Sequence, residues 1–127
     1  MSEFITKDSG KRQEYKSGMK RDLQENKARF DLVIAKYTKY NKSLLYRWAM
    51  LMYRGLVKYG ERNWEKADSE EELNRFKASA FRHFMQWFSE EDDEDHAVAV
   101  LFNINCYETI KEKIEENGKR KNKKIKC

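Results

Sequence analysis

No proline occurs anywhere in the 127 residues, and glycine occurs only five times. A chain this poor in the two residues that punctuate hairpins cannot easily build an all-β domain. It carries helical periodicity instead. Leu44, Trp48, Leu51, Met52, Gly55, Leu56 and Tyr59 recur at three- and four-residue spacing, which predicts a helix over about 43–59. Asn41 or Ser43 can cap its start, and Gly60 is placed to end it.

A second helix has a sharper beginning. Ser69 followed by Glu72 is a capping box, and Leu73, Phe76, Ala80, Phe84 and Trp87 form a bulky apolar stripe behind it. Ser89 followed by Asp92 is a weaker version of the same signal. After it Ala97, Val100, Leu101, Ile104, Tyr107, Ile110 and Ile114 make the longest stripe, with Gly118 expected to close that helix. The segment "FDLVIAKY", 30–37, is ambiguous by periodicity and reads as a loop or short helix.

The length fits one domain. The expected fold class is all-α, a small bundle of three main helices plus a short N-terminal element. Such helices bury little as a lone monomer, so a homo-oligomer, a dimer or higher, is expected to complete the core. The expected divisions are a polar N-terminal arm at 1–28, a helical domain at 29–117 and a basic disordered tail at 118–127.

Charge narrows the function. The formal net charge is +5, but six of the 27 basic residues lie in "KRKNKKIK", 119–126. Against 22 acidic residues the rest of the chain is near neutral, so nucleic-acid binding is expected only weakly, through the tail. A solubilising end is the plainer reading of that tail. Cys106 reads as a small core residue and Cys127 as a free thiol, with no disulfide framework. No membrane span or signal peptide is legible, and a cytoplasmic protein is expected.

Three stretches could carry chemistry. The first is "SEEDDEDH", with six consecutive acidic residues before His96. If helical, it sets Asp92, Asp95 and His96 on one face, with Asn103 a heptad further on. Paired carboxylates suit Mg2+ (or Mn2+), although acidic residues also gather at helix N-termini for the dipole. The second is His83, beside the apolar stripe with Gln86 one turn on. It reads as a hydrogen-bonded side chain that can reach Asp95 or His96 across the 89–93 turn. The third is "KYGERNWEKA", 58–67, where Glu61 and Glu65 stand four apart, as do Lys58 and Arg62. Cations bind phosphates and carboxylates can hold the bridging metal. Trp64 either packs on the bundle or stacks on a base. No nucleophile elbow or Walker loop is present.

Taken together, "GMKRD", "ENKARFDL", "GERNWEK" and the run from "RH" through "DEDHAVAVLFN" resemble, in order and spacing, the phage-encoded dATP/dGTP diphosphohydrolase family. That family is all-helical and loosely grouped with MazG-like nucleotide pyrophosphohydrolases. The resemblance covers about residues 8–105. It implies magnesium-dependent hydrolysis of dATP or dGTP to monophosphate and pyrophosphate, in host cytoplasm if phage-encoded. Asp92 and Asp95 fit the second MazG carboxylate pair with Asp for Glu, whereas Glu61 and Glu65 are one residue too far apart for the first.

The site implied has Glu61, Glu65, Asp92 and Asp95 on the metal, and His83, His96 and Asn103 as acid, base or water-orienting groups. Lys58, Arg62, Asn63, Trp64 and Gln86 contact the nucleotide. In the arm, Arg12, Arg21, Lys27 and Arg29 contact phosphates, oriented by Asp22 and Asp31. A rival expectation is a non-catalytic protein that sequesters a nucleotide or nucleotide second messenger.

Overall fold

The computed structural model describes residues 4–8 and 10–125, with side chains described to residue 123. The tail positions Lys126 and Cys127 lie outside the described residues. The chain divides into two units, Met1–Val33 and Ile34–Cys127.

The first unit is built on a small antiparallel hairpin of β1 (Arg12–Glu14) and β2 (Lys20–Asp22), with Arg12 opposite Asp22 and Glu14 opposite Lys20. Opposite charges face each other across the ladder, an arrangement that supports pairing without any apolar face. The connection turns at Gly18, whose φ of 91° suits glycine. Arg12 pairs with both Asp8 and Asp22, at 2.6 and 2.8 Å. A single 3-10 turn, Phe30–Val33, follows.

The second unit holds three helices: α1 (Leu44–Tyr59), α2 (Glu70–Phe88) and α3 (His96–Ile125). Ser43 caps α1 by accepting from the Tyr46 N–H, and Gly60 ends it at φ 92° with its N–H on the Leu56 carbonyl. The Ser69 box starts α2. The hydroxyl oxygen accepts from the Glu72 N–H, while the Glu72 carboxylate accepts from the Ser69 hydroxyl and the Asp68 N–H.

The start of α3 differs from expectation. The acidic run belongs to the exit from α2, where the N–H groups of Ser89, Glu90 and Glu91 bond the carbonyls of Met85, Trp87 and Gln86. Glu90 then takes a left-handed φ of 60°, which interrupts any helix from Ser89. The true cap is Asp95, which accepts from the Val98 N–H on its side chain and the Ala99 N–H on its carbonyl. Asp92, Asp95 and His96 therefore do not share a helix face. The far end differs too. Gly118 does not close α3, which continues to Ile125. One glycine costs a helix only about 1 kcal/mol relative to alanine, and the Lys, Arg and Glu around it are good helix formers.

Helix α3 is the shared support. Both α1 and α2 pack on it, and among the described residues the backbones of α1 and α2 approach α3 and not each other. Ala67, Leu73 and Ile110 are buried, with Trp64, Phe76, Tyr107 and Ile114 packed around them. Val98 and Cys106 are fully buried on α3. Burial pushes the Cys106 thiol up to about 12, so it stays protonated as a packing residue. Elsewhere large apolar side chains remain exposed, including Leu45, Tyr53 and Val57 on α1 and Phe81, Trp87 and Phe88 on α2. No helix among the described residues is long and apolar enough to cross a membrane.

Candidate functional site

The run 58–65 bends twice. After Gly60, Arg62 also adopts a left-handed conformation, φ 56°, and opens the 3-10 turn Asn63–Lys66. Non-glycine residues held there mark backbone fixed by its surroundings. Two anchors do the fixing. The ammonium of Lys113 on α3 donates to the carbonyls of Glu65 and Ala67, both at 2.9 Å. The Trp64 ring meets Phe102 of α3 edge-on, with centroids 6.4 Å apart.

Between this run, the second half of α1 and Phe102 lies a cleft of about 610 Å³. That is ample for a nucleotide-sized ligand. Its walls are largely apolar, with Leu51, Met52, Leu56 and Phe102 among them, and Arg54, Lys58, Glu61 and Arg62 add charge. Arg62 donates to the Glu65 carboxylate at 2.8 Å, and the Lys58 ammonium lies over the Tyr59 ring. Glu61 has no ion-pair partner among the described residues and is exposed. Of the sequence candidates, Lys58, Glu61, Arg62, Asn63, Trp64 and Glu65 all line this cleft. Arg54 and Phe102 were not foreseen. Both lie in apolar helical runs where nothing in the sequence marks them.

The histidines meet elsewhere. His83 on α2 and His96 at the start of α3 are both buried, with Nδ1 atoms 2.9 Å apart. The contact across the turn thus forms with His96, not Asp95. Nε2 of His96 lies 2.7 Å from the Asp93 carboxylate, and Nε2 of His83 has a longer contact, 3.4 Å, with the Arg82 guanidinium. Asp93 can only accept and Arg82 can only donate, which fixes the protons. His96 donates from Nε2 to Asp93, His83 donates from Nδ1 to His96, and His83 accepts from Arg82 on Nε2. Burial, and then the Arg82 charge, hold the His83 pKa below its ordinary value, in keeping with a neutral ring. The hydrogen bond from His96 holds the Asp93 carboxyl below the usual range.

The remaining candidates are dispersed. Asp95 receives Nε and Nη2 of Arg47, each at 2.8 Å, which lowers its pKa. Asp92 is exposed in the loop. Among the described residues one group of three potential metal ligands converges, His83, Glu94 and His96, and it contains none of Glu61, Glu65, Asp92 and Asp95. The buried Asn103 amide donates to the Ala99 carbonyl of its own helix. Gln86 keeps its Oε1 buried with no hydrogen-bond partner. In the first unit Arg12 is paired with Asp22 and Arg29 with Asp31, while Arg21 and Lys27 are exposed.

A family model described as dATP/dGTP diphosphohydrolase, N-terminal, matches residues 17–122. No curated protein and no solved structure matches the chain. The family match begins in the hairpin turn and takes in α1, α2 and α3 as far as residue 122, with the run that lines the cleft and the histidine pair. On a match of that extent the chain belongs to the dATP/dGTP diphosphohydrolase family, whose members are nucleoside triphosphate pyrophosphohydrolases, and is an enzyme of nucleotide hydrolysis.

Proposed function

We propose that the chain hydrolyses purine deoxynucleoside triphosphates, dATP and dGTP, to the monophosphate and pyrophosphate in the cleft beside residues 58–65. The observation that carries this reading is the make-up of that cleft. An apolar interior suited to a base and sugar adjoins a charged run suited to phosphates. Water adds to the α-phosphorus, the bond to the bridging oxygen breaks, and pyrophosphate leaves. Arg62, Lys58 and Arg54 are the groups available to hold the phosphates and stabilise the charge that develops on the leaving group. The Glu65 carboxylate holds the Arg62 fork in place through its 2.8 Å bond.

Mg2+, with Mn2+ as a substitute, fits this donor set. Such an ion keeps several waters and needs only one or two protein carboxylates besides the substrate phosphates. Glu61, which has no ion pair among the described residues, is the carboxylate that would hold it, with Glu65 joining on release from Arg62. Once bound it would neutralise phosphate charge. Asp95, engaged by Arg47, serves the start of α3 instead. A homo-oligomer belongs to the same reading, since the apolar residues exposed on α1 and α2 are what a second copy would cover.

The test is kinetic. Arg62→Ala and Glu61→Gln, both at exposed positions, are expected to lower kcat for dATP or dGTP by about 10²–10³ while leaving the thermal transition in place. Full turnover in both variants would refute the cleft as the site. Nucleotide bound by the wild type but recovered intact would instead indicate sequestration.

A further inference from the structure

The histidine pair lies outside the cleft, and the hydrolytic reading leaves it without a role. We propose that His83, Glu94 and His96 form a binding site for a divalent transition-metal ion of the zinc class.

The geometry is that of a three-ligand site held closed by a proton. One ligand atom from each of the three residues lies within 4.8 Å of the others. The two Nδ1 atoms are 2.9 Å apart. Around a tetrahedral ion with Zn–N bonds of about 2.05 Å the same two atoms would stand about 3.3 Å apart. The two nitrogens therefore need to part by about 0.4 Å, with each ring tilting so that its lone pair leaves the Nδ1–Nδ1 line and meets the ion, while the shared proton moves to Nε2 of His83.

The surroundings match what such a site needs. A metal-bound imidazole usually donates its second N–H to a carboxylate, which fixes the ring and raises its basicity. Nε2 of His96 already does this to Asp93 at 2.7 Å. Both imidazoles are buried, so they are held for the ion before it arrives, whereas Glu94 is exposed and can swing onto it. With Nδ1 on the metal, His83 carries its proton on Nε2, facing Arg82. Arg82 is exposed and linked to that nitrogen only by the long 3.4 Å contact, so it can turn away.

The ligand set also selects the ion. Two imidazoles and one carboxylate suit Zn2+, Co2+ or Ni2+, while Mg2+ and Ca2+ prefer oxygen alone. Three protein ligands with an exposed side leave a fourth position for water or a small anion. The site thus differs in chemistry from the carboxylates of the cleft. Binding moves the His83 proton from Nδ1 to Nε2, so the ring stays neutral and gives up no net proton to the ion.

The experiment uses the full chain freed of metal by chelation and then titrated with Co2+. The expected result is one ion per chain, with the intense visible bands of a four-coordinate ion, removed on adding Zn2+ and unaffected by excess Mg2+. Asp93→Asn is expected to weaken binding about 10–100-fold, and Glu94→Gln at least as much. Both positions are exposed, so folding should survive, and Asp92→Asn in the same loop should bind like wild type. Absence of the bands would overturn the proposal. So would wild-type affinity in Glu94→Gln and Asp93→Asn, which would put the ion elsewhere. Neither readout depends on nucleotide hydrolysis.

Discussion

Removing the Lys113 ammonium should loosen the cleft more than the core. Its Nζ donates to two carbonyls, Glu65 and Ala67, at 2.9 Å each, and so ties the wall of the cleft to α3. A hydrogen bond from a charged donor contributes about 1.5–3 kcal/mol where both partners are dry. Lys113 is half-buried, and the freed carbonyls regain water. Lys113→Met, which keeps the apolar stem, is therefore expected to cost about 1–2 kcal/mol in total. For a unit of this size that lowers the melting temperature by about 5–15 °C. With one of its two anchors gone the left-handed turn at Arg62 is held less firmly, so KM for the nucleotide should rise about tenfold, equivalent to ~1.4 kcal/mol. Kcat should fall less. Calorimetry and steady-state kinetics on one preparation separate the two effects. Unchanged melting and unchanged KM would refute the anchoring role. A lower melting temperature with KM unchanged would mean that nucleotide does not bind against this wall.

Two further predictions follow from ion pairing and backbone conformation. Because Arg47 depresses the folded-state pKa of Asp95, the stability from this pair is present above the unfolded value near 3.8 and is lost as pH falls through the folded value. Arg47→Met should cost about 1 kcal/mol near neutral pH, and denaturant melts should show a shallower loss of stability in acid than for wild type. Gly118 lies inside α3 and is not among the residues of positive φ, so Gly118→Ala should raise helix content by circular dichroism and stabilise by up to about 1 kcal/mol. Destabilisation there would mean that the glycine ends the helix after all.

Much of this was legible in the sequence, for reasons tied to particular residues. Local signals placed α1 and α2. Ser43 and Gly60 bracket one apolar stripe, and Ser69 with Glu72 opens the other. The start of α3 was not legible because Ser89 and Asp92 carry the residue types of a cap while sitting where α2 unwinds. The decision falls to Glu90, which turns left-handed, and Asp95, which bonds the first turn. The hairpin escaped notice because both its faces are polar, so it lacks the alternation that marks a strand. In the cleft, the contiguous run 58–65 stood out. Arg54 and Phe102 are brought to it only by tertiary packing. The histidine contact was open to inference from two antiparallel helices joined by a short loop. Glu94 was one carboxylate among six in a row, and its proximity to the imidazole nitrogens is a property of the folded loop.

The most direct measurement is product analysis. Purified protein is incubated with dATP or dGTP and Mg2+, and the mixture is resolved by anion-exchange chromatography with a pyrophosphate assay. Deoxynucleoside monophosphate and pyrophosphate in equal amounts, lost on chelating Mg2+ and in Arg62→Ala, are the predicted result. Recovery of the intact triphosphate, or release of orthophosphate with the diphosphate, would contradict the account.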